Sequence, residues 1–444
     1  MSVFPFVDDP DHDQEPADSN HEEQAQRRPH RQRDWLVRCY LIRAADAFNS
    51  AVITYAVPLM VLSLTHSAAW TGLAFLLEWL PRLGAIAGSG PLIDRHGAVR
   101  TVFAASTLRA GAAVLTLAGL SLGAGVVAVL AFGVAAGIAA QASFLASESL
   151  GNQAGRIAGG QVSRVQSRLT AIDQVAALLG PLVGGALLLA GPALLLAVVA
   201  ILSAVTITVT LVQPAEQHPD QATTNTEEGA LVALAQGFGV LWRRNALLWL
   251  VIVIAAVNLA FGVIQIATPI AVTQHLHRSS AAVGLVWAIA AAASLTVVLL
   301  ARRAVDRLGV YRVALVSALL VAVSTAAAAQ TGTLSTFALA VAAVTSAEGA
   351  ATVAVRTARA RLIPTDRYAA TLAATLLIQR LPFPLAGLLV AATPARNLPH
   401  LLLATAALLT VATAVGATRL ASHRSGFEAE QPAALEPAAL PESA

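Results

Sequence analysis

Lysine is missing from this chain: all 28 of its basic residues are arginine. A phosphate-binding loop of the Walker type needs a lysine, so the chain carries no ATP motor of its own. The single cysteine, Cys39, cannot form an internal disulfide, and no cysteine or histidine spacing suits a zinc or redox site. His275 and His277, beside Arg278, read as surface residues of a loop and not as metal ligands. Charge is scarce too: 12% of the 444 residues are charged and 57% are hydrophobic. Soluble domains use charged residues at about a quarter of positions, so a soluble chain this apolar could not cover its surface. Basic stretches interleaved with aromatics are absent, which argues against a nucleic-acid partner despite the net charge of +3. Nucleophile–base pairings are absent as well, so an enzyme is not expected, and no cofactor is implied.

What is present is a succession of long apolar runs. Their limits, read between turn signals, are 37–64, 69–91, 101–120, 124–148, 167–190, 192–212, 247–273, 281–302, 311–330, 335–356, 368–391 and 398–418. Each is long enough for a membrane-spanning helix, which needs about 20 residues. The expected fold class is therefore an all-α membrane protein of twelve transmembrane helices in two six-helix bundles. The expected organisation runs from a disordered cytoplasmic tail, residues 1–34, in place of a cleavable signal, to an N-terminal bundle, 35–212. A cytoplasmic linker with an amphipathic helix follows at 213–246, then a C-terminal bundle at 247–420 and a disordered tail at 421–444.

Arginine sets the orientation. Outside the spans, only Arg278 and Arg396 fall in loops opposite the N-terminus; Arg43, Arg82, Arg109 and Arg380 lie within spans. So strong a bias predicts a multi-pass protein of the cell membrane with both termini cytoplasmic.

A charged segment recurs between the second and third spans of each half. The first copy holds Gly90, Asp94, Arg95, Gly97 and Arg100; the second holds Asp306, Arg307, Gly309 and Arg312. A duplication of this kind is a mark of secondary transporters. Gly97 permits a turn that a side chain would disfavour. Asp94 can accept hydrogen bonds from a neighbouring helix N-terminus, and Arg95 and Arg100 can pair with carboxylates or lipid phosphates. Setting orientation would not require the same order of residues twice, so the segments read as a gate.

The twelve spans, the six-plus-six split and the Gly90, Asp94, Arg95, Gly97 pattern resemble the major facilitator superfamily. Ala98 and Val99 stand where that signature has two basic residues, and Arg100 comes one step late. The resemblance extends over residues 35–420 and implies alternating access around a central cavity. Within the superfamily the chain is similar to the enterobactin-exporter-like and macrolide-efflux branch. Pro81 and Arg82 in the second span, and the amphipathic segment before the seventh, carry that likeness. Gly180, Pro181, Gly184 and Gly185 in the fifth span resemble the signature associated with drug–proton antiporters, with Pro384 and Gly387 at matching spacing in the eleventh. The resemblance also puts helix 11 as the neighbour of Asp94.

Charges inside spans are costly, about 2.5–3.5 kcal/mol each at mid-membrane, so each asks for a role. Arg43, Asp46 and Ser50 share a face of the first span, with Asn49 one turn from Asp46; Glu78 and Arg82 are spaced for an ion pair across Pro81. Glu148 ends the fourth span and reads as interfacial. Arg109 is expected to neutralise an acid on the first or second span. Asp46, Asp173 and Glu348 lack a same-helix partner, apart from Arg43 for Asp46, and are the candidates for reversible protonation, Asp46 first. Arg380, Asn258 and Gln265 complete the candidate cavity set. The expectation is a monomer that exports a small amphipathic compound in exchange for protons, with membrane lipids around it. The alternatives are a proton-coupled importer and a membrane accessory or sensor protein that moves nothing.

Overall fold

In a computed structural model, the described residues are 17–157, 162–212, 230–363 and 368–421, and they are helical almost throughout. The first half comprises α1 (Ala17–Thr65), α2 (Ala68–His96), α3 (Ala98–Ser121), α4 (Gly125–Ile157), α5 (Val162–Ala190) and α6 (Pro192–Leu211). A short helix, α7 (Ala230–Arg243), precedes the second half. That half comprises α8 (Asn245–Ile270), α9 (Ser280–Leu308), α10 (Val310–Ala328), α11 (Leu334–Leu362), α12 (Tyr368–Arg380), α13 (Pro382–Ala391) and α14 (Leu398–Ala421). Helix is the form that satisfies every backbone group within one segment, which a chain surrounded by lipid requires.

Eleven spans are long and apolar enough to cross a membrane, with α12 and α13 together making one of them. The 29-residue α2, which carries Glu78 and Arg82, falls outside those eleven and completes the six helices of the first half. Within the first half, α1 packs on α4, α5 and α6, and α3 packs on α4 and α6. Within the second, α11 packs on α9 and α10, and α14 on α8 and α10.

The duplication is visible at atomic detail in the two hinges. Gly97 alone separates α2 from α3, with φ 84° and ψ 156°; Gly309 alone separates α9 from α10, with φ 83° and ψ 155°. In each hinge the glycine N–H closes the preceding helix, onto the Ile93 carbonyl at 2.8 Å and onto the Val305 carbonyl at 2.9 Å. This backbone region is essentially restricted to glycine.

The structure departs from the sequence reading at several points. Residues 17–34, expected within a disordered tail, extend α1 to Ala17. The helical register simply continues past the apolar run, because polar residues outside lipid do not end a helix. Residues 1–16, the polar part of the linker at 213–229 and the tail from 422 lie outside the described residues. Gly90, expected at a helix end, lies inside α2, which runs on to His96. The eleventh span is not one helix: it breaks at Leu381, where Pro382 and Pro384 cannot donate to the preceding turn. Pro181, by contrast, is carried inside a continuous α5.

Candidate functional site

Three of the charged groups in the first half are tied to α1. Arg43, 1% exposed, donates to Asp173 of α5 at 2.7 and 2.5 Å and to Glu148 of α4 at 3.1 Å. It also reaches the Ser147 hydroxyl and the Phe144 carbonyl, each at 3.3 Å, and sits 4.4 Å over the Phe144 ring. Asp46 accepts from Arg109 of α3 at 2.9 Å, with both side chains almost fully buried. Arg43 therefore serves Asp173 and Glu148 and leaves Asp46 to Arg109, which the shared face on α1 does not reveal. Glu148 is one partner of a buried guanidinium and only a third exposed, so its expected interfacial setting is incomplete. Asn49 donates to the Ser203 hydroxyl at 2.8 Å and the Val199 carbonyl at 3.2 Å, fastening α1 to α6.

Glu78 and Arg82 form a 2.5 Å ion pair within α2, and Thr54 of α1 bonds both, at 3.3 and 3.0 Å. Arg82 also lies 4.4 Å over the Trp79 ring. Trp79 stacks on Phe383 of α13 at 4.2 Å with an interplanar angle of 11°. Phe261 meets Phe383 edge-on at 6.3 Å and Trp287 edge-on at 6.2 Å, and Trp287 returns to Tyr55 of α1 at 4.8 Å. These aromatics cross between the halves twice and form a floor. Sequence reasoning missed them; aromatics are only 5% of the chain, so an aromatic next to a buried acid was the available signal.

On that floor stands Arg380, the last residue of α12. Its guanidinium is 5.7 Å from both the Trp79 and the Phe383 rings, and the residue is exposed. Glu348 of α11 lies within electrostatic reach of Arg380, Arg356 and Tyr55, and accepts a hydrogen bond from Thr352 at 2.8 Å. Neither Glu348 nor Arg380 belongs to an ion pair among the described residues. Asn258 donates to the Gln379 carbonyl at 2.7 Å and so holds α8 to α12, while Gln265 is buried within α8.

Beyond the floor the halves are sealed. Gly185 of α5 meets Ser280 and Gly284 of α9, where an added Cβ would come within 3.0 and 3.1 Å. In the mirror-related seam, Gly387 of α13 meets Gly72 and Leu76 of α2, with an added Cβ at 2.8 and 2.7 Å. Gly180 and Gly184 face α1 instead, at Ala51 and Val52, so the helix-5 cluster serves both packing within its half and closure across halves. Gly72 and Gly284 were not singled out in the sequence. Gln274 adds a 3.0 Å bond to the His66 carbonyl at the same end, and a buried apolar cluster joins Leu59, Leu62 and Phe75 to Val257, Ile266 and Val390. The hinge glycines lie at the opposite end of the helices. There Arg95, Arg100, Asp306, Arg307 and Arg312 flank Gly97 and Gly309; all five are exposed and none joins an ion pair among the described residues. The side chain of Asp94, and with it the expected contact to helix 11, lies outside the described residues. Groups of three or more potential metal ligands do not occur among the described residues.

Solved structures similar to the chain are transporters. A nucleoside transporter superposes with a TM-score of 0.72 at 12% identity, covering 86% of this chain and 99% of that one. A bacterial homologue of the iron transporter ferroportin, in an inward-facing state, gives 0.69 at 16% identity over 88% of this chain and 98% of that one. A bacterial homologue of the lysosomal transporter Spinster, inward-facing and unoccupied, gives 0.64 at 17% identity over 91% and 99%. At these identities the likeness is one of fold. Among curated proteins, none matches the chain in sequence. The profile of the Major Facilitator Superfamily, however, matches residues 39–387. With that match added to the duplicated hinges and the two helical halves, the chain belongs to the major facilitator superfamily, as a multi-pass membrane transporter.

Proposed function

We propose that the protein exports a small amphipathic compound in exchange for protons, and that Glu348 is the acid they share. One observation carries this reading. Asp46, Asp173 and Glu78 each hold an arginine, whereas Glu348, partly exposed, has no ion pair among the described residues. A guanidinium partner favours the ionised form of a carboxylate; one without such a partner takes and gives up a proton more readily. This moves the choice away from Asp46, which Arg109 restrains.

The halves, 35–212 and 247–420, act as the two rocking bodies. With both termini in the cytoplasm, the glycine seams close the outer end and the cavity faces inward, as a loading state for export requires. Substrate then enters from the cytoplasm, the outer seams part, and a proton on Glu348 favours release and return. Each entering proton supplies about 2.3 kcal/mol per 100 mV of potential and about 1.4 kcal/mol per pH unit, enough for accumulation against a gradient.

The test uses purified full-length chain in vesicles of known orientation with an imposed pH gradient. Wild-type protein is expected to accumulate compound only in inverted vesicles acidified inside, and Glu348→Gln to exchange compound without accumulating it. Accumulation by Glu348→Gln equal to wild type, or accumulation only in right-side-out vesicles acidified outside, would overturn the reading.

A further inference from the structure

Arg380 and Glu348 carry opposite charges, lie within electrostatic reach of one another, and form no ion pair among the described residues. Arg380 is exposed and Glu348 partly so, and Arg82 and Arg356 lie within electrostatic reach of Arg380 as further cations. Arg82, the other guanidinium on the floor, is already held by Glu78 and Thr54. Arg380 instead projects over the two stacked rings with no carboxylate bonded to it among the described residues. A membrane protein does not keep two such charges apart for stability, since direct pairing would lower the cost of both. A ligand that brings its own anion and cation fits between them.

We infer that the substrate is an amphoteric aromatic compound: its carboxylate pairs with Arg380, its ammonium with Glu348, and its ring lies on the Trp79–Phe383 stack. Arginine receives a carboxylate through two parallel N–H donors, which fixes orientation as well as charge. Phe261, Trp287 and Tyr55 extend the apolar wall beyond the rings. The groups facing Glu348 are Tyr55 from α1, Arg380 from α12, and Thr352 and Arg356 from its own helix, so the ammonium meets a single acid there. This inference rests on the reading that Glu348 is where proton and substrate compete: an ammonium and a proton exclude each other at one carboxylate, which yields exchange. A carboxylate at Arg380 alone would favour protonation of Glu348 and bind together with the proton.

Three probes share one ring and differ in charge: tryptophan carries both groups, tryptamine the ammonium alone and indole-3-propionate the carboxylate alone. Calorimetric titration of the detergent-purified full chain is expected to rank tryptophan at least about tenfold tighter than either of the others, the margin of one charge-assisted pair. Arg380→Gln is expected to bring tryptophan down to tryptamine, and Glu348→Gln to bring it down to indole-3-propionate. Arg380→Lys, keeping the charge, is expected to retain the preference. A wild-type protein that binds tryptamine or indole-3-propionate as tightly as tryptophan overturns the class, as does one that binds none of the three. Loss of fold in a variant is recognised from its melting temperature, and Arg380→Lys against wild type then decides. Tryptophan binding without proton-driven accumulation would leave the class standing and remove the coupling; accumulation of a singly charged compound would do the reverse.

Discussion

Gly284 of the second half lies against the carbonyl of Pro181 in the first, so closely that a Cβ on it would come within 2.9 Å of that oxygen. Gly72 lies against the Gly387 carbonyl in the same way, at 2.6 Å. Both closures are backbone against backbone, and both sit at the end of the helices opposite the hinges. Small residues are what allow helices to approach this far in lipid.

Gly284→Ala is therefore expected to part the outer seam and shift the protein towards its other state. In a Cys39→Ser background, a cysteine replacing Tyr55 should react with an impermeant maleimide from the outside only when Gly284→Ala is also present. Equal labelling with and without Gly284→Ala would show that the seam is not the outer closure.

Gly97→Ala and Gly309→Ala place a Cβ in backbone conformations near φ 84° and 83°. Each is expected to destabilise the protein by about 1–3 kcal/mol. The melting temperature in detergent checks this: both variants should fall, and by similar amounts, because the two hinges share one geometry. An unchanged value for either would mean that the hinge relaxes without cost.

Asp46→Asn removes the partner of a buried guanidinium. The expected loss is about 3–5 kcal/mol, larger than that of the double variant Asp46→Asn with Arg109→Gln, which leaves no buried charge unpaired. Additive losses in the double-mutant cycle would show that the 2.9 Å contact carries no coupling.

Reporters fused after Arg424 and within residues 215–228 are expected to be cytoplasmic, as the arginine bias requires. An external reading at either place would invert the orientation on which export depends.

The helices and hinges were legible because they depend on local signals. Apolar length marks each span, and Gly97 and Gly309 stand in a repeated charged pattern. Partners were not legible, since a guanidinium on α1 can reach α3, α4 or α5 with equal sequence plausibility. Arg43 looked like the neighbour of Asp46 and instead serves Asp173 and Glu148. Glu348 stood behind Asp46 among the three candidates, and the sequence does not show that Asp46 and Asp173 each hold an arginine. The aromatic floor was invisible because Trp79 and Phe383 come from different halves, and no spacing rule links them. The break at Leu381 was foreshadowed by Pro382 and Pro384, but an apolar run hides it.

The polar contacts of α1 also bear on how the protein is made. Arg43, Asp46 and Asn49 belong to the first span to emerge, yet every partner comes later: Arg109, Glu148, Asp173 and Ser203. Left alone in lipid, each charge on α1 costs about 2.5–3.5 kcal/mol. The charges of the first helix therefore gain their partners in steps, as α3, then α4 and α5 are made, and its Asn49 last of all from α6. These polar contacts of the first half are thus complete only once Ser203 has joined them.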